Sequence, residues 1–117
     1  MSKFVSVKRS ATFSRAYRQG KTVATKTLAV YALRRKKDGH KPSALGLTVS
    51  KKYGKAVERS RARRVMREAY RALCDKVVCG YDIILVARGR LAGVKTPEAF
   101  ADLSYALNKL GLLAFEE

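Results

Sequence analysis

From Ala44 to Cys74 the chain reads ALGLTVSKKYGKAVERSRARRVMREAYRALC, and the hydrophobic period changes once along it. Over Ala44–Ser50 the residues alternate, with Leu45, Leu47 and Val49 on one side and Gly46, Thr48 and Ser50 on the other. That is the period of a half-buried strand. A basic loop, Lys51–Lys55 around Gly54, follows, and from 56 to 74 the period becomes helical. Turned at about 100° per residue, Ala62, Val65, Met66, Ala69, Tyr70 and Leu73 share one arc, the stripe of a helix packed on a core. Arg59, Arg63, Arg64, Arg67 and Arg71 fall on the opposite side, with Arg61 at the margin. At about 1.5 Å per residue the arginine row rises roughly 18 Å, enough to span several phosphates.

The arginine row belongs to a chain of 117 residues with 26 Lys plus Arg against 9 Asp plus Glu, a formal charge of +17. One domain is the expectation at this length. Hydrophobic residues at 47% are ordinary for a globular protein and too many for a disordered basic tail. The excess of positive charge points to a polyanionic partner, nucleic acid above all. A merely solvated helix face mixes its signs, whereas Glu58 and Glu68 alone offset the 51–71 segment. Arginine in place of lysine favours forked hydrogen bonds to phosphate oxygens.

Other classes are disfavoured. The longest purely apolar stretch, Ile83–Ala87, is far short of the ~20 residues that span a bilayer, and neither a signal-peptide core nor a lipidation motif appears. No membrane is expected, and the location is expected to be cytoplasmic. Cys74 and Cys79 flank Val77-Val78 and read as two reduced, part-buried thiols. With His40 as the sole histidine, no metal-ligand set is visible, nor a carboxylate cluster, a triad or a phosphate-cradling glycine loop. No catalytic residue, metal or protein-bound cofactor is expected. DNA is disfavoured because the basic helix follows a strand and a glycine loop, not the first helix of a helix-turn-helix.

Around the central stretch the remaining elements fall into place. Ser10–Gln19 reads as a short helix, with Ser10 at its N-cap, Phe13, Ala16 and Tyr17 at helical spacing, and Gly20 as its stop. Thr27–Arg34 alternates Leu28, Val30 and Ala32 against Ala29, Tyr31 and Leu33. Its pairing with Ala44–Ser50 is predicted as an antiparallel hairpin, joined by the charged loop 34–42 with a turn at Asp38-Gly39. Tyr81–Ala87, holding Ile83-Ile84-Leu85-Val86, suits a strand buried on both faces. Arg88–Lys95 is a basic loop, in which Arg88 and Arg90 are either backbone contacts or solvated. A last helix begins near Thr96, with Pro97 and Glu98 in its first turn, a stripe of Phe100, Leu103, Ala106, Leu107 and Leu110, and an end at Gly111. The expected fold class is a single α+β domain in the order α-β-β-α-β-α over residues 1–117.

A second handle for nucleic acid is aromatic. Phe13 and Tyr17 lie four apart on the first helix and Tyr31 points from one face of the first predicted strand. Facing each other, the three form a groove able to stack bases; pointing inward, they are core. Spacing leaves both readings open.

The string Gly46-Leu47-Thr48-Val49-Ser50-Lys51-Lys52-Tyr53-Gly54-Lys55-Ala56-Val57, followed by Arg59-Ser60-Arg61 and its basic helix, closely resembles the signature of the bacterial ribonuclease P protein subunit. The resemblance extends to Phe13, Tyr17 and Gly20, to Val30-Tyr31 and to Tyr81-Asp82-Ile83-Ile84, nearly the whole chain. Ser60 stands where the family has asparagine, and serine has a shorter reach and lacks the amide's two donors. The resemblance implies a mixed sheet packed by helices, a topology shared with a domain of a small-subunit ribosomal protein, and a left-handed crossover between the last two predicted strands.

It also implies a function: the protein binds a large catalytic RNA and promotes removal of the 5′ leader from precursor tRNA, with the RNA and its Mg²⁺ performing the hydrolysis. Carried onto this sequence, Lys51, Lys52, Lys55, Arg59, Ser60, Arg61, Arg63, Arg64 and Arg67 are expected to dock on the catalytic RNA. Phe13, Tyr17, Tyr31, Thr48 and Ser50 are expected to hold the leader. A non-catalytic RNA-binding protein of the ribosomal or assembly-factor type accounts for the size, the charge and the helix, but not for the matched string.

Overall fold

A computed structural model describes residues 5–7, 9–37 and 39–114, except the side chain of Arg90. Its elements are β1 (Val5–Ser6), α1 (Ser10–Gln19), β2 (Lys21–Ala24), β3 (Leu28–Arg34), β4 (Ala44–Thr48), α2 (Ala56–Leu73), β5 (Tyr81–Ala87) and α3 (Thr96–Lys109). The α+β class and the six predicted elements are present; β1 and β2 are additional. Both are edge strands of two and four residues, too short and too exposed to carry an alternating signal.

The strands form one mixed sheet in the order β1-β4-β5-β3-β2. β5 is central, parallel to β4 and antiparallel to β3, so the predicted hairpin of β3 with β4 does not form. Alternation reports which face of a strand is buried but not which strand lies beside it. The four apolar residues Ile83–Val86 take the central place, where both faces are covered. The segment 34–42 is therefore no hairpin loop; it crosses the start of β5 and is stitched there. Arg35 N donates to Gly80 O at 2.8 Å, Gly80 N to Lys41 O at 3.0 Å, and Ser43 Oγ to Val78 O at 2.6 Å. The Arg35 guanidinium donates to Pro42 O and Tyr81 O and pairs with Asp82 at 3.6 Å. Gly80 has φ +91°, and a Cβ there would lie 2.6 Å from Gly39 O. Asp38, half of the expected turn dipeptide, lies outside the described residues.

Each face of the sheet has its own layer. Leu28, Val30, Ala32, Leu45, Ile83 and Leu85 pack with Ala62, Val65, Met66, Ala69, Tyr70 and Leu73 of α2 and with Ala99, Leu103, Ala106 and Leu107 of α3. All six residues of the predicted α2 stripe are buried. On the other face α1 seats Ala16 against the sheet and Phe13 over Gly46 and Ile84.

Two local expectations are corrected. Arg9, not Ser10, occupies the N-cap of α1, and it makes no side-chain cap. Gly20 does stop that helix, in extended conformation (φ −76°, ψ 158°). Glycine is required there by space: a Cβ would lie 2.6 Å from Ala16 O and 2.9 Å from Ala32 O. Of the cysteines, Cys74 is part-buried but Cys79 is exposed, because the turn leading into β5 carries it outward. No helix among the described residues is long and apolar enough to cross a membrane.

Gly20→Ala is expected to destabilise the domain by about 1–3 kcal/mol, since backbone oxygens on both sides must move. Urea unfolding followed by circular dichroism checks this.

Candidate nucleic-acid interface

Two surfaces grow out of this frame. The first is aromatic and lies where α1 crosses the sheet. Tyr17 and Tyr31 meet edge to face, with ring centroids 4.9 Å apart and planes at 81°. The Tyr17 hydroxyl is 3.0 Å from Thr48 Oγ1. Phe13 stands beside them, its ring so close to the backbone of β4 that a Cβ at Gly46 would lie 2.8 Å from it. Four expected groove residues, Phe13, Tyr17, Tyr31 and Thr48, thus converge from α1, β3 and β4. None is fully buried, and Tyr17 is 41% exposed, so the rings are neither core nor free. Strand register extends this wall into a row, Thr48–Val86–Ala29–Ala24, of small and part-exposed residues.

Ser50, the fifth expected groove residue, has a different local task. Its Oγ accepts from Lys52 N at 3.1 Å and caps the single 3₁₀ turn Lys51–Tyr53. That turn delivers the chain into α2 and leaves Lys51, Lys52 and Lys55 exposed. Burial pushes the Tyr53 phenol above its ordinary pKa, against the pull of Arg61.

The second surface is α2. Its N-terminus is held by Glu58, whose Oε1 accepts from Lys55 N at 2.8 Å. Arg59 Nε donates to Gly54 O at 3.2 Å and Arg61 Nη2 to Val94 O at 2.7 Å. These two arginines are thereby fixed at opposite margins of the helix, each keeping further N–H donors. Ser60, Arg64 and Arg67 are exposed between them and Arg63 is part-buried. Ser60, Arg61 and Arg64 line one shallow depression with Ala56 and Val57. Both acids of α2 are engaged elsewhere, since Glu68 Oε1 accepts from Thr96 Oγ1 at 3.2 Å. Among the described residues none of Arg59, Arg61, Arg63, Arg64 and Arg67 forms an ion pair.

Arg88 donates to Thr25 O at 2.9 Å and so ties the loop after β5 to the turn between β2 and β3. The side chain of Arg90 lies outside the described residues. Beside Arg88, Lys26 was not foreseen as a site residue. The two line a depression of about 660 Å³ with Ala24, the last residue of the exposed row. Only a recognised β2 would have placed Lys26 there. Among the described residues no group of three or more His, Cys, Asp or Glu is arranged to hold a metal.

An α+β domain with an aromatic-walled groove and a helix whose Arg59, Arg61, Arg63, Arg64 and Arg67 form no ion pair among the described residues has the features of the nucleic-acid-binding class. The ribonuclease P family model matches residues 1–111. A ribonuclease P protein component from Alkaliphilus oremlandii is 36% identical over 107 residues, covering 92% of this chain and 91% of the relative. One from Clostridioides difficile is 45% identical over 83 residues, 70% of each chain. The solved structure of the Staphylococcus aureus RNase P protein superposes with a TM-score of 0.82 at 30% identity, covering 95% of this chain and 99% of that one. The chain belongs to the bacterial ribonuclease P protein family, the protein component of an endoribonuclease whose partner is the ribonuclease P RNA.

Glu58→Ala removes the acceptor at the α2 N-terminus and is expected to cost about 0.5–2 kcal/mol. Its thermal or urea midpoint falls, while Glu68→Ala, remote from that cap, leaves the helix start intact in amide exchange.

Proposed function

We propose that the two surfaces divide the work of this ribonuclease P protein. The α2 face and its preceding loop, through Lys51, Lys52, Lys55, Arg59, Ser60, Arg61, Arg63, Arg64 and Arg67, dock on phosphates of the catalytic RNA. The groove of Phe13, Tyr17, Tyr31 and Thr48 holds the single-stranded 5′ leader of precursor tRNA, and Ser50 contributes by shaping the loop beside it. The observation that carries this reading is the meeting of Tyr17 with Tyr31 and Thr48 in one part-exposed wall. Bases stack on such rings whatever their sequence, so leader binding is tolerant of sequence.

In this reading the hydrolysis and the Mg²⁺ it uses belong to the RNA. The protein binds, orients and lowers phosphate repulsion, which reduces the Mg²⁺ the RNA requires. Because only the precursor carries a leader, the groove raises affinity for precursor over mature tRNA. The setting in which this occurs is the cytoplasm.

Three measurements test the division. At low-millimolar Mg²⁺, cleavage at the mature 5′ end is expected only when catalytic RNA and protein are combined. Stimulation that fails despite tight RNA binding would instead place the protein among general RNA-binding factors. Phe13→Ala with Tyr31→Ala is expected to lower precursor affinity at least 10-fold in the assembled enzyme, at about 1–3 kcal/mol per stacked base, and to spare mature tRNA. An equal loss for both ligands removes the leader groove. Arg64→Ala with Arg67→Ala is expected to weaken catalytic-RNA binding and flatten its dependence on log salt by about 0.7–0.9 per lost phosphate contact.

A further inference from the structure

The α1 helix crosses the sheet as a ridge, and the aromatic groove occupies only one flank of it. On the other flank lies a cavity of about 730 Å³ lined by Arg9, Arg15, Arg34, Arg35, Lys36 and Lys37, with Gln19, Leu33 and Asp82. Asp82 is its single described carboxylate, and Arg35 engages it at 3.6 Å. Arg9, Arg15, Arg34, Lys36 and Lys37 are exposed, and none forms an ion pair among the described residues. Five like charges around one concavity repel each other, and a low-dielectric wall focuses their field into it. That arrangement suits a bound polyanion.

We propose that this cavity is a second RNA-backbone site, separate from the α2 surface, and that it takes phosphates of the catalytic RNA. The inference rests on the functional reading above, which supplies the RNA. Phosphodiester groups are favoured over a free nucleotide because the lining offers forked cations but no aromatic platform for a base. The leader is disfavoured because the ridge between groove and cavity is closed. Ala16 is fully buried against the sheet, and the backbone at Gly20 has no room for a methyl group before Ala32 O.

The two basic surfaces sit at opposite ends of the sheet. Arg34 pairs with Tyr81 at the start of β5, whereas Thr48, which leads into α2, pairs with Val86 near its end. Five residues of strand separate those positions by about 17 Å at ~3.3 Å per residue. A structured RNA reaching round the domain engages both ends at once, and the second contact acts at high effective concentration.

The test replaces Arg15, Arg34, Lys36 and Lys37 by Ala together, leaving Arg35 to hold Asp82. Circular dichroism and the urea midpoint verify that the full-length variant folds. Catalytic-RNA binding is then measured across a salt series beside the Arg64→Ala/Arg67→Ala protein, along with precursor and mature tRNA affinities in the assembled enzyme. The expected result is a loss of about 10-fold or more in catalytic-RNA affinity and a log–log salt slope flatter by about 1.4–2.7, as for two or three lost phosphate contacts. The precursor-to-mature ratio stays unchanged. Unaltered affinity and slope, with the α2 variant impaired, overturn the cavity site and leave the functional reading standing. A lost precursor preference with intact catalytic-RNA affinity also overturns it and assigns the cavity to the leader. If neither variant changes RNA binding, the functional reading falls with it.

Discussion

The burial of β5 on both faces is the constraint from which the rest of the domain follows. Ile83 and Leu85 are fully covered by the α2 and α3 layer, while Ile84 is fully covered from the side of α1. A strand so placed needs a neighbour at each edge and a layer on each side. β3 supplies one edge as an antiparallel partner and β4 the other as a parallel one. Parallel neighbours cannot be joined by a tight turn and require a long crossover, which here is the arginine helix. The element that carries the charge is thus also the one that closes the core.

That double duty explains how α2 tolerates its composition. Arginines at i, i+4 spacing repel by a few tenths of a kcal/mol per pair. Against this, each large apolar side chain fully buried from its stripe contributes about 1.5–3 kcal/mol. Packing therefore outweighs repulsion, and the acids are released from neutralising the arginines. Glu58 caps the helix and Glu68 receives the Thr96 hydroxyl, so the exposed face keeps its positive field. Arg59 and Arg61, each donating to a backbone carbonyl, hold their guanidinium groups at the margins before any ligand arrives. Such fixed donors reduce the ordering cost of binding a phosphate.

Much of the fold was legible in the chain. The α2 stripe, the continuous apolar run of β5 and the Pro97-led α3 are long or strongly periodic, and each appears where its pattern placed it. β1 and β2 were not legible, because two and four mostly exposed residues at the sheet edges have no buried face to advertise. The absence of a β3–β4 pair is illegible for a related reason: both strands alternate regularly, and the insertion of β5 between them leaves no mark on either. At the site, Phe13, Tyr17, Tyr31 and Thr48 carried a signal in spacing and family pattern, whereas Lys26 had none without β2. The capping role of Ser50 is equally local to the turn that forms around it.

The sequence by itself determined the class of the domain, the buried and charged faces of its long helix, the strand that had to be buried on both faces and, through one long matched string, the family. These are properties written within some twenty residues, where backbone geometry alone sets the period of burial. Only the tertiary structure decided which strands are neighbours, on which flank of α1 the aromatic rings meet, and that Arg9 and Arg15 share a basic cavity with residues 34–37. Those outcomes depend on sheet order and on where a helix crosses the sheet, and both are set by which buried surfaces can be covered together.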